Sequence, residues 1–175
     1  MLCEDIVENK ENSFIDCVIS VRRVTKVTKG GKRFSFSAQV VSGDQQGRVG
    51  IARGSSHEAS LAVTKATKSA RRNLATIALR GTTVPYEVKG SHGASQVTVR
   101  PASKGTGRIA GGAVRAVLKA AGVVDVLTKA HGSSNGINVA KATLNALAQM
   151  RTVVDIARLR GKTVQEIIRG SDVTT

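Results

Sequence analysis

The stretch Ile15-Asp16-Cys17-Val18-Ile19-Ser20-Val21-Arg22 carries an apolar side chain at every odd position, the period-2 signature of a β-strand with one buried face. A second alternation, now with even positions apolar, runs through Phe34-Ser35-Phe36-Ser37-Ala38-Gln39-Val40, and a shorter third through Arg48-Val49-Gly50-Ile51. The first link, Thr28-Lys29-Gly30-Gly31-Lys32, has adjacent glycines that take positive φ without a Cβ penalty, and Gly43-Asp44-Gln45-Gln46-Gly47 is also turn-like. Three strands in sequence joined this way predict an antiparallel meander.

Working outward, Ser55 precedes Glu58 by three residues, the spacing of a capping box in which a hydroxyl and a carboxylate satisfy amides at a helix start. A long helix is expected from there to about Leu79. Ala59, Ala62, Val63, Ala66, Ala70, Leu74 and Ile77 form its apolar stripe, and Lys65, Lys68 and Arg72, with Arg71 beside them, form a basic face. Such a face is ordinarily just solvated. Here no acid lies between Glu58 and Glu87 to pair with it, which favours a polyanion contact.

Gly81-Thr82-Thr83 and Pro85 mark a boundary between units. Beyond it, Tyr86–Lys89 and Gln96–Arg100 read as strands joined by Gly90-Ser91-His92-Gly93. A glycine loop, Lys104 to Gly112, opens onto a helix Ala113–Ala121. A strand Val123–Lys129, a helix Ile137–Met150 and a shorter helix Thr152–Arg160 follow, with a capping box at Thr163 and Glu166. The fold class is α+β, the second unit being α/β or α+β.

The chain of 175 residues has a formal charge of +15, an excess that points to a polyanion, with nucleic acid as the default partner. The excess is uneven: −4 over residues 1–16, +16 over 17–122 and +3 over 123–175. The middle of the chain is therefore where the polyanion should bind. Aromatics make up only 2% of residues, which disfavours a reader that stacks bases on rings. Cys3 and Cys17 form no ligand cluster with His57, His92 or His131, so no structural zinc is expected. No stretch reaches the ~18 apolar residues of a membrane span, and Glu4, Asp5, Glu8 and Glu11 are unlike a transit peptide. The expectation is a cytoplasmic protein.

The glycine loop matches neither nucleotide fingerprint. Gly105-Thr106-Gly107 followed by Gly111 lacks the GxGxxG spacing, and Lys-Gly-Thr stands where a P-loop needs Gly-Lys-Ser/Thr. Lys104 and Arg108 beside the glycines favour a nucleic-acid backbone contact over a nucleotide site. His92, read as a loop residue with Lys89 and Arg100 on adjoining strands, could donate to phosphate. Nothing resembles a nucleophile elbow, a paired-carboxylate site or a metal cluster. Neither an enzyme nor a cofactor is expected.

Several ordered motifs carry a family resemblance. Arg23 to Phe36, with Lys26, Lys29, Gly30, Gly31, Lys32 and Arg33, resembles the first hairpin of the universal small-subunit ribosomal protein five, bacterial type. Gly43-Asp44 with Gly47-Arg48-Val49-Gly50, Lys68 with Ala70-Arg71-Arg72-Asn73, Pro101-Ala102-Ser103 with Gly105-Thr106-Gly107 and Ala110-Gly111-Gly112-Ala113, and Ala130, Gly132-Ser133, Asn135 and Ile137-Asn138-Val139 agree in the same order. The resemblance covers about residues 14–160. It implies an acidic tail at 1–13, a double-stranded-RNA-binding-like domain of three strands and one helix at 14–81, a C-terminal α/β domain with a left-handed βαβ crossover at 82–160, and an extension at 161–175. It also implies binding to small-subunit rRNA beside ribosomal proteins four and eight, with messenger RNA close by, and no membrane or homo-oligomer. Family changes in the hairpin loop, here Lys26 to Arg33, alter spectinomycin sensitivity. Changes in the region corresponding to Gly105–Arg115, near protein four, affect translational fidelity.

The chain departs from the family pattern at Ala52-Arg53-Gly54-Ser55, where Gly-Tyr-Gly-Lys is usual, and at Asn135-Gly136, where Asn-Pro is usual. Arg53 stands in for the missing lysine charge. The expected RNA-binding set is Arg23, Lys26, Lys29, Gly30, Gly31, Lys32, Arg33, Arg53, Lys65, Lys68, Arg71, Arg72, His92, Arg100, Lys104, Thr106 and Arg108, with Gly105, Gly107 and Arg115 toward a protein partner. The competing reading is a free-standing double-stranded-RNA module with regulatory or enzymatic work.

Overall fold

The computed structural model describes residues 14–169. The acidic tail expected at 1–13, with Cys3, and the end of the C-terminal extension lie outside the described residues.

Strands β1 (Ile15–Thr28), β2 (Gly31–Gly43) and β3 (Arg48–Ser56) form the expected meander. A fourth strand, β4 (Leu74–Thr76), joins the free edge of β3, so the sheet has four strands in the order β1-β2-β3-β4 rather than three. This also corrects the expected helix. Helix α1 (Ala59–Arg72) stops at Asn73, because the β3 edge offers backbone partners to Leu74–Thr76 and Ile77 then drops into the core. The expected Ser55–Glu58 box does not form. Ser55 is still in β3, paired with Ser37, and Glu58 is itself the N-cap, its carboxylate accepting from Ser60 Oγ at 2.6 Å.

The first sheet is buried on both faces, not one. Val18, Phe36, Ala38 and Val40 pack under Ala62 and Ala66 of α1, whose small side chains bring the helix close. On the opposite face, Ile19, Val41, Val49 and Ile51 join a larger cluster contributed mainly by the second unit. A bulge between Val18 and Ser20 shifts the β1 register, so odd residues face the second unit before it and even residues after it. Val21, which continues the odd-position pattern, therefore emerges on the α1 side, 42% exposed.

The second unit comprises β5 (Val88–His92), β6 (Ser95–Pro101), β7 (Arg108–Ile109), α2 (Gly112–Ala121), β8 (Val126–Gly132), α3 (Gly136–Ala148), α4 (Val153–Arg160) and α5 (Val164–Arg169). Its sheet runs β5-β6-β8-β7, with β7 parallel to β8. Two strands lie further along the chain than the alternation suggested. Gly90 to His92 continue the β5–β6 ladder. Before β8, the amides of Val124 and Asp125 donate to Thr82 O at 2.9 and 3.1 Å. The Thr163–Glu166 box forms, with Thr163 N donating to Glu166 Oε2 at 3.0 Å and Glu166 N to Thr163 Oγ1 at 3.4 Å.

The units are locked by backbone. In the β2–β3 turn, Gln45 N donates to Ala120 O at 3.0 Å and Gly47 N to Ala121 O at 3.1 Å, satisfying carbonyls that the end of α2 leaves unpaired. Asp44 Oδ1 shapes the turn by accepting from Gln46 N at 2.8 Å and Arg48 N at 3.0 Å. Gly43 and Gly122 make the approach possible: a Cβ on either would overlap Ala120 O or Gln45 O respectively, and Gly122 also sits at φ +85. Gly122→Ala should thus lose about 2–5 kcal/mol, a left-handed penalty plus overpacking. Gly81→Ala, at φ +61 in open space, should lose only about 1–2 kcal/mol. Urea denaturation of both variants measures the difference, and equal losses would mean that the close contact carries no weight.

Candidate nucleic-acid interface

Beyond the packed part of the first sheet, β1 and β2 continue as a two-stranded arm, exposed from Val21 through Phe34 and paired out to Thr28 opposite Gly31. At its tip Thr28 Oγ1 donates to Gly31 O at 3.0 Å, and Gly31 has φ +128. Gly30 does not share that conformation, so only one of the two glycines is demanded by the turn.

Directly opposed residues share a face, and the register sorts the arm's cations into two groups. Arg22, Lys26 and Arg33 lie on the face that continues to Arg53 of β3. Arg53 is held in place there, its Nε donating to Ser37 Oγ at 2.7 Å. Arg23 and Lys32 lie on the α1 side, with Arg23 stacked 4.8 Å from the centre of the Phe34 ring. Lys29 sits at the tip. Arg22 was missed by sequence reasoning, although alternation along β1 already sets it on one face with Lys26; the cross-strand register extends that face to Arg33 and Arg53.

On α1, Lys65, Lys68 and Arg72 are exposed, spaced so as to project from one side of the helix. Arg71 behaves differently. Its Nη2 donates to Asp16 Oδ2 at 2.6 Å, and its guanidinium lies 5.4 Å from the Phe14 ring centre. It therefore tethers the start of β1 to α1 rather than standing free beside Lys68 and Arg72.

The glycine loop is likewise occupied from within. Gly105 N and Gly107 N both donate to Asp125 Oδ1, at 3.1 and 3.0 Å, so these two amides hold a carboxylate and are not open to a phosphate. Thr106 Oγ1 donates to Ser103 O at 2.8 Å. What the loop still presents is charge: Lys104 is exposed and Arg108 half-buried. Arg115 is exposed at the start of α2, its Nη2 reaching Arg108 O at 3.4 Å. The Gly107 amide bond, against the opposing effect of burial and with help from the Thr82 hydroxyl, the Gly105 amide and Lys104, holds the Asp125 carboxyl below 3.8. Asp44 is also lowered. Burial pushes it up, but the Gln46 amide and the side chain and amide of Arg48 together outweigh that.

His92 ends β5, in a row with Ser95 and Gly132 on the side packed by α3. It is a strand residue, not a loop residue as expected, and it lies on the opposite face from Lys89 and Arg100. Arg100 Nε is paired with Glu87 Oε2 at 2.9 Å. Among the described residues no group of three or more His, Cys, Asp or Glu could hold a metal, and no helix is long and apolar enough to cross a membrane.

Family profiles described as the N-terminal and C-terminal domains of ribosomal protein S5 match residues 14–78 and 90–160. The chain is 50% identical over 161 residues to the small ribosomal subunit protein uS5 of Pseudomonas fluorescens, covering 92% of this chain and 97% of that protein. It is likewise 50% identical to the uS5 of Acinetobacter baumannii and 48% identical to that of Azotobacter vinelandii, each with the same coverage.

Two expected outcomes follow from this geometry. Gly31→Val strains the arm tip, since a β-branched residue resists positive φ, whereas Gly30→Val, with nothing within 4 Å of its Cβ, leaves it intact; amide chemical shifts of Thr28 to Lys32 separate the two. The lowered Asp125 pKa means that its ionised form stabilises the fold. That contribution is complete above the unfolded value near 3.9 and is lost as pH falls through the lower folded value. Asp125→Asn should therefore flatten the fall in stability below about pH 4, and an unchanged acid limb would contradict the assigned role of the carboxylate.

Proposed function

The chain belongs to the S5 family of small-ribosomal-subunit proteins, and from that premise we propose that it grips small-subunit rRNA chiefly with the β1–β2 arm. It is a structural constituent of the small ribosomal subunit, ribosome-bound in the cytoplasm, and not an enzyme. The observation that carries the rRNA reading is the sorted arm. Arg22, Lys26 and Arg33 line one face and Arg23 and Lys32 the other, and among the described residues none of them has an acidic partner.

A two-sided cationic arm suits insertion between RNA segments, where phosphates approach from both sides. Lys65, Lys68 and Arg72 supply a further contact along α1, and Arg53 extends the arm's inner face. Lys104 and Arg108 meet RNA backbone beside the glycine loop. Gly105 to Arg115 form the side turned toward ribosomal protein four, with protein eight also adjoining, and messenger RNA passes close by. Through these contacts the protein supports assembly and accuracy of decoding, and the arm tip bears on spectinomycin response. We divide the chain at residues 81 and 82 between the arm-bearing unit and the second.

The free-standing duplex-RNA module is the weaker reading. Its sheet would keep one face for itself, whereas here the second face is covered by the unit carrying α2 and α3. The test is salt-dependent binding of the full chain to a small-subunit rRNA transcript. Changing Lys29, Lys32 and Arg33 to Ala should lower the salt slope by about 2–3, since each phosphate contact contributes close to one. Wild-type protein should cosediment with small subunits through moderate salt, and a chain recovered free of them, or an unchanged slope, would overturn the reading.

A further inference from the structure

The second sheet has one covered face and one open face. Val88, Gly90, Val97 and Val99 turn toward α3, with Val97 and Val99 fully buried. On the open side the register aligns Lys89 of β5, Thr98 of β6 and Lys129 of β8 in one row, and Ser91, Gln96 and His131 in the next. A third row holds Arg100 and Leu127, and Ile109 of β7 closes the edge beside Leu127. Together they floor an open groove of about 430 Å³ lined by Lys89, Thr98, Arg100, Leu127, Lys129 and His131.

The charge on this face is one-sided. Glu87, at its margin, is already held by Arg100, and among the described residues Lys89 and Lys129 have no acidic partner. Strands lie about 4.8 Å apart, so the two lysines rise from backbones about 10 Å apart across the central strand. Their flexible stems allow the ammonium groups to converge or to straddle. Between them and in the row on one side stand hydroxyl, amide and imidazole groups, which donate to phosphate and ribose oxygens, while the row on the other side holds Arg100, already paired with Glu87, and Leu127. The apolar part is confined to Leu127 and Ile109 at one edge. That distribution fits the sugar-phosphate backbone of RNA better than a protein partner, which would want its apolar residues central and its charges at the rim.

We propose that this open face is a second docking surface for RNA phosphates, separate from the β1–β2 arm and centred on Lys89, Thr98 and Lys129. It rests on the reading of the chain as an rRNA binder, and it assigns to Lys89, Lys129 and His131 a role that charge counting along the sequence did not single out.

The experiment uses the purified full chain and a bacterial small-subunit rRNA transcript as the probe. Affinity is measured against salt for wild type, for the K89Q/K129Q variant and for the arm variant K29A/K32A/R33A. The expected result is that K89Q/K129Q lowers the salt slope by about 1.5–2 while thermal unfolding is unchanged, and that the effect adds to that of the arm variant. Thr98→Val, which removes the central hydroxyl without touching charge, should weaken binding at constant slope. An unchanged slope in K89Q/K129Q alongside a lowered slope in the arm variant overturns this proposal and leaves the arm reading standing. Unchanged slopes in both overturn the two together. Loss of binding to polyglutamate by K89Q/K129Q, with rRNA slope intact, assigns the face to an acidic protein instead and likewise overturns it.

Discussion

Two backbone hydrogen bonds from the β2–β3 turn to the last carbonyls of α2 hold the molecule in its working shape. They join groups that each unit alone would have to leave to solvent, and the two glycines at the contact let main chain meet main chain without side chains between. Once this contact is made, α2 and α3 lie over the free face of the first sheet, and Val41 and Val49 share a core with Val117, Leu118 and Leu147. A single continuous core fixes the direction in which the arm leaves the body. An arm of only two strands needs such a base, since it would be marginal alone.

The acids in and beside the basic region each have a local task. Asp44 and Asp125 are nearly fully buried, and each accepts two backbone amides that a turn or loop would otherwise strand. Glu87 and Asp16 each engage one arginine. The Glu87–Arg100 pair is exposed and contributes only about 0–1 kcal/mol, so its effect is positional rather than stabilising. The remaining cations are left without partners on the arm, on the outer side of α1 and on the open sheet face. Protein self-repulsion is the consequence, and it is relieved when a polyanion is bound.

The alternation in Ile15–Arg22 and Phe34–Val40 was enough to read the meander, and the glycine pair enough to read its turn. What stayed hidden was whatever depended on partners distant in sequence. Ser55 and Glu58 have the spacing of a helix cap, but β3 runs on through Ser55 because β2 offers it a full ladder. Leu74 and Ile77 keep helical spacing, yet the open β3 edge takes the segment as a strand. Arg71 and Lys68 look alike in sequence, and only Asp16, 55 residues away from Arg71, distinguishes them. The glycine loop was legible as a turn flanked by Lys104 and Arg108; that its amides close on Asp125 was not. Conversely, most of the arm's cations could be named from their position around a turn, because a hairpin's geometry is local.

The bulge beside Ile19 works as a parity element. Each residue in an extended strand reverses side relative to the one before, so the extra residue exchanges which set of side chains faces each way from that point to the tip. Seen thus, the arm tolerates lengthening or shortening only in matched steps that preserve parity. Loss of Val21 alone would leave composition and charge nearly the same while handing Arg22 and Lys26 to the opposite side.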